Sequence, residues 1–437
     1  MSTLDESLAS QRGTRASRGW SVLVVAFLVM AFGFALRNSF SVFYPAIVED
    51  YGWTRGNTAM MFSLSILVYG LFSPVAGSLV DRFKPQYLVA GGALALGGGF
   101  ALCGLGTAEW QFYLLFGVLA AVGVSFVGVT VLGAVVTPWF PHHRGMVFGV
   151  LAAGFGVSLV SASVVQYLIS TQGWRNAYFI TGLSFAAVMT PLVLLFLRRV
   201  PRQPIPASPG ASTAPGAAVD PGAATGWHAT EWTLKRAVRV PQFWLLALAG
   251  FFQVGVAEKI AIAHQVYFFR DAGYSPMAAA AIYSVFGVAF VVGNLVSSLS
   301  DRIGRERLYL PACVLSVAAS CLLFFIRDAS QPWLAYLFAA TFGVGIGILP
   351  PVLFAAVADL FHGRAYGAIQ GMVMVWVSAG GAISPWLSGY LFDVTGSYRM
   401  MLFILTGSLV VCGLLVRAAA PGRLSPVPAR AGRQSGS

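Results

Sequence analysis

Long apolar stretches alternate with short polar segments along the whole chain. Each stretch is long enough, at about 1.5 Å per residue, to cross the roughly 30 Å hydrocarbon core of a bilayer as a helix. The pattern predicts an all-α membrane protein with twelve transmembrane helices. The predicted spans are residues 20–48, 57–80, 87–107, 111–136, 145–170, 174–198, 241–269, 276–300, 307–327, 332–357, 366–392 and 398–417.

A segment rich in Pro, Gly, Ala and Ser, PRQPIPASPGASTAPGAAVDPGAATG, separates the sixth span from the seventh. Such a composition is typical of a disordered linker. We therefore expect two pseudo-symmetric six-helix bundles, at residues 20–198 and 241–417, joined by a linker at 199–240. Tails are predicted at residues 1–19 and 418–437.

The composition supports a membrane protein and argues against other classes. Of the 437 residues, 57% are hydrophobic and 10% are charged, values far from those of soluble domains. All four cysteines fall inside apolar spans, and the sequence has no phosphate-binding loop, no group with metal-ligand spacing and no pairing of a nucleophile with a base. We therefore expect neither an enzyme nor a cofactor or metal.

Lysine and arginine are distributed unevenly between the two sides of the membrane. Twenty of the 27 lie in the termini, the linker and the loops on the same side, five lie in the opposite loops, and Arg37 and Lys259 lie inside spans. By the positive-inside rule, both termini and the linker are expected to be cytoplasmic, in a plasma membrane of the bacterial inner-membrane type. The net charge of +12 then reflects topology and not a nucleic-acid partner. We expect a monomer whose surroundings are the lipid bilayer.

The sequence repeats itself weakly at an offset of about 220 residues, which predicts two related halves with a substrate site near the midplane where they meet. The matching segments are DYGWTRGNTAMMFS (50–63) with DAGYSPMAAAAIYS (271–284), GSLVDRFKP (77–85) with SSLSDRIGR (297–305), and HHRGMVFG (142–149) with HGRAYGAIQG (362–371).

Arg37 lies near the centre of the first span, where a charged side chain is expected to face the protein interior or a water-filled cavity. Adding the repeat offset of 221 to Arg37 gives Glu258, and adding it to Asn38 gives Lys259. These groups are therefore expected at a similar depth in the membrane. One carboxylate cannot neutralise two cations, and an anionic substrate could supply the second negative charge. A buried salt bridge between Arg37 and Glu258 with a purely structural role is the alternative.

A loop signature of the form G-x-x-x-D-[RK] follows the second span as Gly77, Asp81 and Arg82, and a weaker copy returns as Asp301 and Arg302. Together with the twelve spans and the central linker, the signature resembles that of the major facilitator superfamily over nearly the whole chain. The resemblance implies two six-helix bundles that expose a central site alternately to either side, with these loop residues acting in gating.

The segment WFPHHRGMVFGVLAAG at 139–154 resembles the helix 5 signature of the monocarboxylate transporter family, with Arg144 in its basic part. We place Arg144 with the gating residues. The resemblance implies transport of small carboxylates, often coupled to protons, by a cation in helix 1 and an acidic-basic pair in helix 8. The eighth span here carries no charge at all, so Glu258 and Lys259 of the seventh span are expected to take the place of that pair.

The predicted function is secondary active transport of a small organic anion, a monocarboxylate accompanied by protons. A carboxylate exchanger without proton coupling, and an exporter of drugs or other metabolites with the same fold, are the alternatives. For His264, the alternative to carrying a proton is a packing role at a helix interface. The candidate site residues are Arg37 and Lys259 to attract the carboxylate, Asn38, Tyr44 and Gln370 to orient it, and Glu258, followed by His264, to carry the proton.

Overall fold

The computed structural model describes residues 2–140, 144–197, 232–361 and 366–420. These residues are nearly all helical, and eleven of their helices are long and apolar enough to cross a membrane. With the helix Arg305–Leu322, we number the membrane helices α1 to α12 in chain order as Arg18–Tyr51, Arg55–Val80, Pro85–Cys103, Glu109–Trp139, Gly149–Gln172, Trp174–Phe196, Pro241–Asp271, Pro276–Ile303, Arg305–Leu322, Pro332–Leu360, Tyr366–Thr395 and Arg399–Ala419.

The helix α9 is shorter and more polar than most of the others. Its 18 residues begin with Arg305, Glu306 and Arg307. Charged side chains at the end of a membrane helix can reach the polar interface, so α9 corresponds to the predicted ninth span with its first turn at the membrane surface. The predicted all-α architecture is confirmed.

The structure repeats the turn that joins the first two helices of each half. Thr54 caps α2 by accepting a hydrogen bond from the backbone N–H three residues ahead (3.2 Å), and Ser275, at the equivalent position, caps α8 in the same way (3.2 Å). Gly52 and Gly273 lie two residues before these caps with φ of 65° and 87°, a conformation that glycine adopts without strain. The two halves therefore share local structure as well as sequence.

In the part of the chain that the structure describes, the main packing between the halves is that of α1 on α7, α2 on α11 and α5 on α8. We call the end of the bundle that carries the turns at 52–54, 272–275 and 396–398 the Arg55 end. The opposite end, which carries Leu197 and Trp232 on either side of the connection between the halves, is called the linker end.

The halves touch toward the Arg55 end and separate toward the linker end. Gly70 of α2 lies so close to Ser378 of α11 that a Cβ at Gly70 would overlap the serine side chain. Gly371 and Gly367 lie about two and three turns before Ser378, on the same face of α11. A Cβ on either of these glycines would have no neighbour within 4 Å among the described residues.

The pair of helices α5 and α8 diverges in the same direction. Gly156 of α5 packs against Val291 of α8. For Gly149, about two turns earlier on the same face, no described residue lies within 4 Å of where a Cβ would be. Open space on the facing surfaces of both helix pairs indicates a vestibule between the halves that opens at the linker end.

Helical and packed segments extend into the predicted N-terminal tail and the end of the predicted linker. The backbone of the first helix begins at Ser2, so it includes most of the predicted tail. Near the end of the predicted linker, Trp232 packs on Phe361 at the end of α10, with ring centroids 5.0 Å apart. The last part of the linker therefore lies against the C-terminal half, and residues 198–231 and 421–437 lie outside the described residues.

Candidate functional site

The helices α1 and α7 both depart from regular α-helical geometry at the level of the charged residues. α1 breaks at Ser39, two residues after Arg37. In α7, residues Phe251–Glu258 form wider π-helical turns, and α geometry resumes at Lys259. The repeat offset relates Asn38 to Lys259, so the two irregularities lie next to equivalent positions. Irregular turns inside helices frequently occur at functional sites.

Arg37 is buried against aromatic rings. It is 6% exposed, and its guanidinium carbon lies 5.1 Å from the ring centroid of Tyr69 and 5.7 Å from that of Phe62. Cation–π contacts of this kind contribute about 0.5–2 kcal/mol each. The buried Nε of Arg37 has no hydrogen-bond partner, and Arg37 forms no ion pair with any described residue.

Glu258 forms its ion pair with the neighbouring Lys259 and not with Arg37. The distance from Glu258 Oε1 to Lys259 Nζ is 2.5 Å, and the side chains are 3% and 14% exposed. The structural salt bridge that the sequence left open, between Arg37 and Glu258, is therefore not formed in this conformation. With all three groups ionised, the cluster carries one net positive charge.

Aromatic rings lie between the two cations. The ring of Phe34 makes edge-to-face contacts with Tyr69 (6.1 Å between centroids) and with Phe155 of α5 (5.2 Å). Lys259 Nζ lies 5.4 Å from the ring centroid of Phe155. Because Phe155 belongs to the N-terminal half and Lys259 to the C-terminal half, this cation–π contact spans the interface. We call Phe34, Tyr69 and Phe155 the aromatic bridge.

Asn38 connects the site to helix α5. Its Nδ2 donates to Ser158 Oγ (2.8 Å), and Ser158 precedes a short 3₁₀ turn at Leu159–Ser161. Just beyond this turn, the hydroxyl of Ser163 lies 2.8 Å from that of Ser284 on α8. Asn38 therefore contacts α5 next to the point where α5 joins the opposite half.

Tyr44 and His264 lie nearer the Arg55 end than the charged cluster. Their rings contact each other edge to face at 5.5 Å across the interface of α1 and α7. The Tyr44 hydroxyl donates to the carbonyl of Arg55 (2.8 Å), and His264 Nε2 lies 2.8 Å from the carbonyl of Pro385. Both side chains thus belong to the closed contact between the halves, which agrees with the helix-interface alternative for His264.

Gln370 lies apart from the other predicted binding residues. Lys259 packs beside Gly381 of α11, and Gln370 precedes Gly381 by eleven residues, a rise of about 16 Å along the helix. Gln370 therefore lies toward the linker end, beside the vestibule, and is not part of the charged cluster.

Arg55 is the main polar contact between the halves, and sequence reasoning did not select it. Its guanidinium pairs with Asp271 at the end of α7 through Nη1 to Oδ2 and Nη2 to Oδ1, and Nη1 also donates to the hydroxyl of Tyr398. The rings of Phe392 and Tyr267 lie 3.6 and 3.9 Å from its guanidinium carbon. Arg55 thus holds the first turn of α2 against α7, α11 and α12.

Asp393 of α11 completes this contact by binding the start of α2. Its two carboxylate oxygens accept hydrogen bonds from the backbone N–H groups of Arg55 (2.9 Å) and Gly56 (2.7 Å). The first N–H groups of a helix have no partner within the helix, and a carboxylate there is favourable. The repeat between residues 50–63 and 271–284 marks this turn in the sequence, but Asp393 lies outside both copies.

The second copy of the loop signature forms a local network at the linker end. Asp301 pairs with Arg305 in the first turn of α9, and Arg305 Nε donates to Asp359 near the end of α10 (2.8 Å). Arg302 is exposed. The predicted gating role of Asp301 and Arg302 stays a prediction. Arg305, which also belongs to the weaker copy of the signature in the sequence, joins Asp301 in this network.

In the first copy, Gly77 faces α4, where its Cβ would lie 3.2 Å from Thr130. Arg82 is exposed at the end of its helix. The side chains of Asp81 and Arg144 lie outside the described residues. The gating roles assigned to these residues are likewise still predictions.

Two related helical halves, with a charged cluster between them and a vestibule open at one end, are the arrangement found in many membrane transporters. The chain belongs to the Major Facilitator Superfamily, whose sequence profile matches residues 23–385 and 266–436. The predicted superfamily is thereby confirmed, and the protein is a transporter and not an enzyme.

Similar proteins include monocarboxylate transporters. Monocarboxylate transporter 13 of Bos taurus is 26% identical over 399 residues, covering 90% of this chain and 87% of the relative. Monocarboxylate transporter 11 of Homo sapiens is 27% identical over 415 residues, covering 93% and 83%. The uncharacterized MFS-type transporter YcxA of Bacillus subtilis (strain 168) is 25% identical over 401 residues, covering 88% and 91%.

Among solved structures, a bacterial homolog of the human lysosomal transporter Spinster, in an inward-facing and unoccupied conformation, superposes with a TM-score of 0.63. The match covers 93% of this chain and 98% of that chain at 16% sequence identity. At this identity the likeness shows the fold alone.

Proposed function

We propose that this protein carries small monocarboxylates across a plasma membrane by alternating access, together with protons. The observation that supports the proposal is the unpaired Arg37 in a cluster with one net positive charge. A monocarboxylate brings one negative charge, and the planar guanidinium matches the two oxygens of a carboxylate. The vestibule at the linker end provides a route by which such an anion can reach the cluster.

The similar proteins support the same substrate class. Two of those described above are named monocarboxylate transporters, and they match this chain over nearly its whole length. The charged cluster of helices α1 and α7 gives that likeness a chemical basis in this chain.

Proton coupling is assigned to Glu258, whose counter-ion is Lys259. A substrate carboxylate at Arg37 that also draws the flexible Lys259 side chain toward itself would leave Glu258 ionised and unpaired in a medium of low dielectric constant. Protonation of Glu258 removes that unpaired charge. Substrate and proton would then bind together, which is the condition for symport.

The orientation follows from the distribution of basic residues. With both termini and the linker in the cytoplasm, the vestibule opens to the cytoplasm and the Arg55 end faces the outside. The conformation described here is then the one that exchanges substrate with the cytoplasm.

The test is uptake of labelled acetate, pyruvate, lactate and benzoate into proteoliposomes, with and without a pH gradient that is alkaline inside. We expect a carboxylate to accumulate above its outside concentration only with the gradient. Arg37→Ala should abolish uptake. The control is Arg175→Ala, since Arg175 pairs with Asp50 (2.8 Å) within the N-terminal half.

Two outcomes would contradict the proposal in different ways. Wild-type rate and affinity in Arg37→Ala would remove Arg37 as the anion site. Equal uptake with and without the pH gradient, combined with rapid exchange of internal for external carboxylate, would indicate an exchanger without proton coupling.

A further inference from the structure

The walls around Arg37 and Lys259 are aromatic, and they determine what the rest of the substrate can be. Phe34 is buried, whereas Tyr69 and Phe155 are half-buried. Phe155 touches Phe34 on its own half, Phe290 of α8 (5.9 Å between centroids) and Lys259. Its ring therefore lies at the interface where the vestibule ends.

Three polar side chains next to Arg37 make hydrogen bonds within the protein. Asn38 donates to Ser158 Oγ (2.8 Å), Ser158 donates to the carbonyl of Phe155 (2.6 Å), and Ser39 donates to the carbonyl of Leu36 (2.6 Å). A hydroxyl or amino group beside Phe34 or Phe155 would lie against an aromatic face without a hydrogen-bond partner, which disfavours a polar substituent there.

From these two observations we infer that the preferred substrates are aromatic monocarboxylates, in which a benzene ring stacks against the aromatic bridge while the carboxylate binds Arg37. This inference depends on the proposed function and specifies its substrate class. Aromatic pairs gain about 0.5–1.5 kcal/mol beyond the area that they bury, which corresponds to roughly a two- to tenfold difference in affinity. Phe155 is the residue that sets the preference, because it is half-buried and touches both halves.

The experiment compares benzoate with cyclohexanecarboxylate, which has the same charge and a ring of similar size but no π electrons. Competition with labelled benzoate in proteoliposomes gives the half-inhibitory concentration of each, and lactate supplies a polar comparison. We expect benzoate to compete at a concentration several-fold lower than cyclohexanecarboxylate and at least about tenfold lower than lactate.

Variants at Phe155 distinguish the effect of an aromatic ring from that of side-chain size. Phe155→Leu should bring benzoate and cyclohexanecarboxylate to within about twofold of each other, and Phe155→Tyr, which keeps a ring, should retain the preference. Phe179→Leu is the matched control, because Phe179 is a half-exposed residue of α6, and it should retain the wild-type ratio.

The outcomes distinguish this inference from the proposed function. Transport of carboxylates with lactate equal to benzoate, or a preference for benzoate that survives Phe155→Leu, would overturn the aromatic specificity and leave monocarboxylate transport in place. Folded wild-type protein that transports none of these anions would overturn both.

Discussion

Glu49 and Arg270 occupy equivalent positions in the two halves, 221 residues apart, and they form an ion pair with each other (Oε1 to Nη2, 2.8 Å). Residues related by a twofold axis can meet each other only close to that axis. The pair therefore marks the place where the pseudo-twofold axis passes through the Arg55 end. Around it, Arg55 and Asp393 make the contacts that hold this end closed.

The ion pair of Glu49 and Arg270 should contribute little to this closure. Glu49 is 57% exposed, and exposed ion pairs are worth about 0.2–1 kcal/mol. Glu49→Gln should therefore change the equilibrium between the two open states by no more than about fivefold. The measurement is the labelling rate of Ser63→Cys, a position that the α2–α11 contact covers, in a background without the four native cysteines. A larger change would show that the pair is stronger than its exposure indicates.

Substitution of Arg55 should have a much larger effect on the same equilibrium. Arg55→Gln removes the ion pair with Asp271 and the contact with Tyr398, and hydrogen bonds to charged groups contribute about 1.5–3 kcal/mol. Labelling of Ser63→Cys from the Arg55 end should rise at least about tenfold. Arg175→Gln, which breaks an ion pair within one half, should leave the rate near the wild-type value. Equal effects of both variants would argue against Arg55 as the closing contact.

At Arg37, a positive charge alone should not be sufficient for normal binding of the carboxylate. Arg37→Lys keeps the positive charge but loses the planar fork that binds both oxygens of a carboxylate. We expect the KM for the transported carboxylate to rise at least about tenfold, the loss of one charge-assisted hydrogen bond. The melting temperature should change little, because lysine can retain the contacts with Tyr69 and Phe62. An unchanged KM would indicate that Arg37 acts only through its charge.

Glu258→Gln should abolish proton coupling while substrate binding is partly retained. The amide resembles the protonated carboxylate in shape and retains hydrogen-bonding capacity, but it cannot release a proton. Accumulation driven by a pH gradient should therefore be lost while exchange of internal for external substrate is partly retained. Measurement of both activities on one preparation makes the comparison direct.

A different result at Glu258 would assign it a structural role. Without the carboxylate, Lys259 and Arg37 would both lack a counter-ion in the interior, and breaking a buried pair in this way costs about 3–5 kcal/mol. A lowered melting temperature with loss of exchange would indicate that role. A stable Glu258→Gln protein that still concentrates substrate would remove Glu258 from the coupling mechanism and make His264 the next residue to test.

The depth of the charged cluster was predictable, because hydropathy locates Arg37 in the first span and the repeat relates Glu258 and Lys259 to Arg37 and Asn38. The pairing within the cluster was not. On a regular helix, neighbouring side chains point about 100° apart, and only the structure shows Glu258 and Lys259 forming a pair at the end of the π-helical turns of α7.

The closing contact at the Arg55 end was missed for a related reason. In the sequence, Arg55 is one of five basic residues on the side with fewer positive charges, where it serves as a topology signal. Its partners Asp271, Asp393 and Tyr398 lie between 216 and 343 residues away, and no local pattern connects them. Tyr44 was placed at the substrate site for the same reason, since its bond to the Arg55 carbonyl depends on the packing of α1 against α2.

The close approach of Gly70 to Ser378 provides a means of arresting the transport cycle. Any side chain larger than a hydrogen atom at residue 70 would collide with Ser378 and destabilise the conformation in which α2 and α11 are in contact. The substitution would leave Arg37, Glu258 and Lys259 unaltered. Gly70→Ala should then favour the opposite state, with the Arg55 end open. Such a trapped protein would present its binding cavity to antibodies and soluble inhibitors that approach from the Arg55 end.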